Sequence, residues 1–380
     1  MNEQLSHIDF ENARAEIWSF DSGTEVREYH AMIHVSARQL PYDRQLEAVM
    51  NAYDSLLSSL PDSHAVFKRY FLSDAANQAD DIIAADVTDC AKSIIQQAPL
   101  DGTKVALWVW LMTGVQTRLT KSGLYEAAHG GFRHLFNASA HNLAANSEYQ
   151  MRLLFNEYIM QLAEEGCKLA DNCVRTWLFV NDIDLNYGGV VRARNQVFFT
   201  QGLTVHTHFI ASTGIGGRQQ DPNVLSQMDN YAIAGLKPEQ VRYLYASTHL
   251  YRTSDYGVSF ERGTCIDYAD RRHVFISGTA SINNKGEVMY AKNVEQQTRR
   301  MWENVEALLK EADCTYDDVC EMVVYLRDIA DYDLVSRLYE ERFPGKPYVI
   351  VHAAVCRPGW LVEMECMAVK KTDNPQLPVF

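Results

Sequence analysis

The sequence predicts an α+β fold built from three tandem units, each a mixed sheet with two helices. Three observations carry that expectation. A chain of 380 residues with 47% hydrophobic and 11% aromatic content can bury two or three ordinary cores. One order of strand, helix, strand and helix recurs along the chain, and such internal repetition decides the architecture before any motif does. Each helix carries one apolar stripe, and each sheet keeps a second face that must be covered. Three sheets are therefore expected to bury those faces against one another as an intramolecular pseudo-trimer with the helices outside, leaving clefts where neighbouring units meet.

The repeat is clearest near the C-terminal end. Residues 272–280 form a strand running into a Ser/Gly turn. A helix is expected over 294–311, where Met301, Val305, Leu308 and Leu309 recur at helical spacing. A strand at 322–326, a helix at 332–342 ending at Phe343-Pro344-Gly345, and two strands at 348–354 and 361–369 complete the unit. The middle of the chain repeats this order with a strand at 133–140, a helix at 148–169, a strand at 175–180 and a helix ending near Phe199; Val180-Asn181-Asp182-Ile183 lines up with Leu326-Arg327-Asp328-Ile329. A fainter copy comprises a strand at 29–36, a helix at 46–60, a strand at 65–72 and a closing strand at 105–112. The expected boundaries are 1–115, 116–255 and 256–380. Segments 114–130 and 214–240 are expected to be loops, and 241–248 a strand.

Composition excludes several function classes. With 35 basic against 49 acidic residues and a formal charge of -14, the chain is a poor binder of phosphate backbones, so no nucleic-acid partner is expected. The opening residues lack a basic start followed by an apolar run, and the longest apolar stretch, 105–112, is far too short to span a bilayer, so a soluble, cytoplasmic protein without a membrane partner is expected. Eight cysteines without CxxC pairs point to reduced thiols. His206-Thr207-His208 lacks accompanying cysteines or carboxylates at zinc spacing and is read as structural histidines on a strand; no metal and no cofactor are expected.

The third unit resembles a Rid (YjgF-like) domain over its whole length. The residues that carry the resemblance are Ile276-Ser277-Gly278, Gln297-Thr298, Glu303-Asn304-Val305, Tyr325-Leu326-Arg327-Asp328 and Val362-Glu363-Met364-Glu365-Cys366-Met367-Ala368. It implies the chorismate-mutase-like fold for each unit. Rid imine deaminases hold the substrate carboxylate with an arginine just after the proline of the penultimate strand, whereas Pro347-Tyr348-Val349-Ile350 has none, nor has His206-Thr207-His208-Phe209-Ile210. The second half of the chain is similar to the chorismatase group, on Tyr187, Arg194 and Phe198, then 211–217, then Tyr256-Gly257 and Ser259-Phe260-Glu261-Arg262-Gly263, and finally Cys356 seven residues before Glu363. Gly263 and Cys356 are similar to the subtype that makes 3-hydroxybenzoate.

That resemblance implies cleavage of the enolpyruvyl ether of chorismate or a related acid, releasing pyruvate, with a small anionic metabolite as partner. Protonation of the enol-ether methylene needs a carboxylic acid held neutral near pH 7. Glu363 is the candidate, because Glu363 and Glu365 project from one strand face, where like charge and partial burial would raise one of the two pKa values; Glu365 is read as structural. Arg262 and Arg194 are the candidate carboxylate clamps, with Arg192, Arg271, Arg272 and Arg357 as alternatives. Thr213 and Gly214, in a glycine-rich run taken as a loop, are candidates for presenting backbone N–H groups. Tyr256 is a candidate hydroxyl donor, Gly263 a further candidate substrate-binding residue, and Cys356 a candidate catalytic thiol facing the cleft to steer the intermediate. Glu261 is expected to weaken the hold of Arg262 on an anion. Open alternatives are a Rid-like imine or enamine deaminase and a non-catalytic binder of small acids. RNA cleavage, attached to some Rid-like proteins, has no support from the charge. The expected assembly is a monomer or a weak homo-oligomer.

Overall fold

The computed structural model describes residues 4–380, apart from the side chain of Tyr256. The first unit comprises β1 (Leu5–Phe10), β2 (Ala13–Phe20), β3 (Glu28–Val35), α1 (Tyr42–Ser59), β4 (His64–Leu72), α2 (Ala75–Ala85), β5 (Ala91–Gln96) and β6 (Val105–Met112). The second comprises β7 (Gln116–Leu119), β8 (Tyr125–His129), β9 (Phe132–His141), α3 (Ser147–Glu164), α4 (Leu169–Asn172), β10 (Cys173–Val180), α5 (Ile183–Thr200), β11 (Ala211–Gly216) and β12 (Ser226–Ala234). The third comprises β13 (Val241–Leu244), β14 (Gly263–Asp267), β15 (Arg271–Ala280), α6 (Val294–Glu311), β16 (Val319–Leu326), α7 (Tyr332–Arg342), β17 (Tyr348–His352) and β18 (Val362–Lys371).

All three six-stranded sheets share one topology. The strands run β1-β2-β3-β6-β4-β5, β7-β8-β9-β12-β10-β11 and β13-β14-β15-β18-β16-β17. The last strand of each unit slots antiparallel between the third and fourth, while β4/β5, β10/β11 and β16/β17 pair in parallel across the helices α2, α5 and α7. One face of each sheet carries helices. In the first unit Leu46, Val49, Tyr53 and Leu56 line one stripe of α1 and join a core with Ala13, Ala15, Ile33 and Leu107. The opposite faces meet in a shared aromatic core, where Phe67 stacks on Trp177 at 5.8 Å, Phe136 on Tyr231 at 4.6 Å, and Phe275 meets Tyr231 at 5.6 Å. Central strands are thus buried on both faces.

Three short β-bridges close the ring. Gln96 pairs with Arg218, Ile215 with Val355, and Val351 with Pro99, so each unit's parallel edge strand meets the segment that follows the same strand in the next unit. At the centre, Arg69 pairs with Asp229 at 3.0 Å and Glu365 at 3.4 Å, while Arg175 pairs with Glu365 at 2.8 Å. These charges come from all three sheets and are buried, a setting in which loss of one partner strands another without solvent.

Several expected boundaries differ from the structure. The segment 114–130 holds the hairpin β7/β8 rather than a loop, and 214–240 holds the central strand β12. The polar sequence of β12 concealed it: Gln227 donates to Ile94 O and Asp229 pairs with Arg69, so its polar side chains face the neighbouring unit. His206 to His208 lie in a turn ahead of β11, not on a strand. The third sheet begins at β13, ahead of the expected boundary at 256. The helix expected over 148–169 stops at Glu164, and Gly166 follows at φ +73°.

Candidate functional site

The seam between the second and third units contains a cleft lined by Tyr187 and Arg194 of α5, Ser212 and Gly214 of β11, and Gly278, Ala280 and Glu363 of the third sheet. The segment Val258–Arg262 and the turn carrying Cys356, Arg357 and Trp360 complete it. Hydrogen bonds across the seam fix its walls. Ser212 N donates to Ser277 Oγ at 2.9 Å, and Ser277 Oγ donates to Glu261 O at 2.6 Å. Thr213 Oγ1 accepts from Arg175 Nη2 at 2.6 Å and from Gly278 N at 2.9 Å, tying the cleft wall to the central charge cluster.

Two glycines are required by close approach. A Cβ on Gly278 would lie 2.2 Å from Glu363 Oε1, so the carboxyl group rests directly on the β15 backbone. A Cβ on Gly214 would lie 2.8 Å from the Tyr187 ring, which covers β11 at that point. β15 also bulges between Ile276 and Thr279, which adjusts the strand where it faces Glu363.

The electrostatics divide sharply between an uncharged acid and cations. Burial, and then the neighbouring Glu365 carboxylate, push the Glu363 carboxyl up to about 8. It is a neutral acid over most of the physiological range. Arg194 is 1% exposed, and its Nε and Nη2 have no hydrogen-bond partner among the described residues. Arg262 donates to Tyr251 O from Nη2 at 3.0 Å, and the Phe260 ring lies 5.2 Å from Arg262 and 5.7 Å from Arg194. Burial, and then Glu363, push the Cys356 thiol up to about 12, so it is a neutral S–H donor and not a thiolate. Together these groups can hold an anion and deliver a proton beside it.

The structure brings Glu363, Cys356, Arg194, Arg262 and Gly214 to one cleft, with Thr213 just behind its wall. Gly263 is not in the lining: it sits inside β14 opposite Ile276, against Leu244. The side chain of Tyr256 lies outside the described residues. The glycine-rich run 213–217 is not a free loop, since Thr213 to Gly216 pair with β10 and their backbone groups serve the sheet. Glu261 is not in the lining and its carboxylate accepts from Phe209 N at 3.0 Å, but its charge and that of Arg262 interact, as expected. Among the alternative arginines, Arg357 lines the cleft; Arg192 pairs with Glu148 at the surface, Arg271 with Glu28 in the core, and Arg272 with Asp267. Phe198 packs on Phe155 at 5.4 Å. Sequence reasoning missed Trp360 and Ala280 as lining residues, and nothing local marks them; Gly278 was visible, but only as a turn glycine.

Three like sheets joined in one chain, with an arginine-lined cleft at one seam, define a three-unit protein of YjgF-like fold. A family model described as endoribonuclease L-PSP matches residues 266–370. A RutC family protein of Saccharolobus solfataricus is 36% identical over 84 residues, covering 22% of this chain and 67% of its own. A second RutC family protein, from Pyrococcus abyssi, is 32% identical over 100 residues, covering 26% of this chain and 79% of its own. The chain belongs to the RutC family, within the Rid (YjgF-like) superfamily. Its overall fold is similar to that of a crystal structure of a chorismatase, with a TM-score of 0.63 and 18% identity over 80% of this chain and 93% of the other. Among the described residues, no helix is long and apolar enough to cross a membrane.

Proposed function

We propose that the cleft between the second and third units cleaves the enolpyruvyl ether of chorismate or a closely related acid and releases pyruvate. The observation that carries this reading is the pairing of a buried, unpartnered Arg194 with a neutral Glu363 in one cleft. A buried guanidinium with free N–H groups is costly unless a ligand anion completes it. Arg194 and Arg262 clamp the carboxylates of the substrate, and Phe260 shields both cations from water.

Glu363 then gives its proton to the methylene carbon of the enol ether, leaving an oxocarbenium ion on the ether carbon. Water, or a hydroxyl of the substrate itself, adds to that carbon. With water, the resulting hemiketal breaks its bond to the ring oxygen, yielding pyruvate and a ring alcohol, and the proton lost from the attacking water restores Glu363. The arginines balance the carboxylate charge throughout. Cys356 stands beside the acid as an uncharged donor that steers the intermediate.

Release of pyruvate from chorismate by the purified chain, followed with lactate dehydrogenase, tests the proposal. Activity is expected in the wild type and a loss of about 100-fold or more in Glu363→Gln. Equal rates in the two proteins remove Glu363 as the acid. Ammonia release from imine-forming amino-acid oxidation mixtures without pyruvate release favours the deaminase reading, and tight binding of chorismate without turnover favours a binder.

A further inference from the structure

The pairing registers relate the units residue by residue. Val362 faces Leu326 in the third sheet as Val105 faces Leu72 in the first. Four residues on, Cys366 faces Ile276, itself opposite Gly263, while Val109 faces Ala31, itself opposite Ile17. The residue before Ile17 is Glu16, the counterpart of Arg262. His352 and Gln96 are likewise equivalent, and five residues beyond them stand Arg357 and Asp101. Fourteen residues beyond the aligned Val180 and Leu326 stand Arg194 and Glu340.

The three arginine positions of one seam are thus carboxylates at another. Glu16, Asp101 and Glu340 line a separate cleft where the third unit meets the first, walled by Tyr332 and Tyr348. Ala106 stands where the other seam has Glu363, and His34 opposite it takes the place of Ala280. His34 is 6% exposed; its Nε2 donates to Tyr348 O at 3.1 Å, while Nδ1 has no hydrogen-bond partner, with Asp101 Oδ2 3.8 Å away. Glu16 Oε2 is also buried and makes no hydrogen bond, lying 3.5 Å from His34 Nε2, while Arg14 engages Oε1 at 3.1 Å. Arg14 and Lys346 also line the cleft, but Arg14 is engaged by Glu16 Oε1 and the Lys346 Nζ is held by Asp317 O and Val319 O.

We infer that this second cleft binds a small organic cation carrying a primary amine. Its ammonium N–H groups meet carboxylate acceptors on Glu16, Asp101 and Glu340, while the tyrosine faces supply cation–π contact. The inference stands independently of the reaction at the other seam.

Titration calorimetry of the full chain with putrescine, and with butanoate as the anionic control, tests it. Putrescine is expected to bind at one site per chain, with affinity falling about tenfold or more in Asp101→Asn and in Glu340→Gln and unchanged in Arg194→Met. Glu340 is exposed at the mouth of the cleft, so its substitution reads binding without disturbing folding. Absence of putrescine heat at millimolar concentration, undiminished binding in both carboxamide variants, or loss of binding in Arg194→Met overturns the inference.

Discussion

Glu363 and Glu365 stand two residues apart on one face of β18 and have opposite surroundings. Glu365 accepts from Arg175 and from Trp177 Nε1, each at 2.8 Å, with Arg69 at 3.4 Å. Glu363 makes no ion pair among the described residues and rests on the Gly278 backbone at the cleft. Neighbouring strand positions thus supply one carboxyl group tied to two arginines and a tryptophan and one held as an acid. The pH behaviour follows from that division. With its folded pKa at about 8 against an ordinary 4.5, Glu363 binds a proton that the unfolded chain releases, so its contribution to stability falls as pH rises from 4.5 to 8. Glu363→Gln is expected to stabilise the fold by roughly 1–3 kcal/mol at pH 7–8. Urea midpoints of both proteins across that range check it, and the wild-type rate should fall above pH 8 as the acid ionises.

Arg194 is expected to trade stability for binding. Replacing a buried, unpartnered guanidinium with a side chain of similar length removes a desolvated charge, so Arg194→Met should melt at or above the wild-type temperature while kcat/KM on chorismate falls about 100-fold. Thermal melts alongside steady-state kinetics check the pair of effects. A drop in both stability and activity would make Arg194 a structural cation.

Gly278→Ala tests the contact beneath the acid. The added methyl group meets Glu363 Oε1 and must displace the carboxyl, at a packing cost of about 1–3 kcal/mol. The expected signature is a loss of kcat of about tenfold or more with a smaller change in KM, because a displaced acid affects proton delivery more than anion capture. Single-turnover kinetics separate the two.

At the opposite end of the ring, buried histidines make the fold acid-sensitive. Burial depresses His129 to about 4 and His30 to about 3, the latter with its ring 5.1 Å from that of Trp110. Their folded pKa values lie below the unfolded 6.5, so the stability they permit is complete above pH 6.5 and is lost as pH falls toward 4 and 3. His30→Phe should flatten the loss of stability between pH 6 and 4, measured from guanidinium midpoints at each pH. An unchanged slope would exclude His30 from the acid response.

The sequence carried the repeat because α6 and α7 are amphipathic and the stretch 322–326 of β16 is wholly apolar, patterns that no neighbour disguises. It also placed Arg194, Arg262, Cys356 and Glu363 in a common cleft through resemblance, since their relative positions depend on unit packing and not on local spacing. What escaped were elements whose polarity is set by a neighbouring unit. β12 reads as a loop because Asp229 and Gln227 serve partners more than 100 residues away. The glycine run at 213–217 looks like a flexible loop because nothing in it reveals that Tyr187 must lie across Gly214. The resemblance assigns Gly263 to the cleft, yet it lies in β14 opposite Ile276, where its backbone serves the sheet.

The bridges Gln96–Arg218, Ile215–Val355 and Val351–Pro99 have a further consequence. Were the ring assembled from identical subunits, any substitution would appear three times over and every joint would be forced to share one chemistry. Covalent linkage releases that constraint. Each joint is free to adopt its own electrostatic character while the remaining joints keep the ring closed.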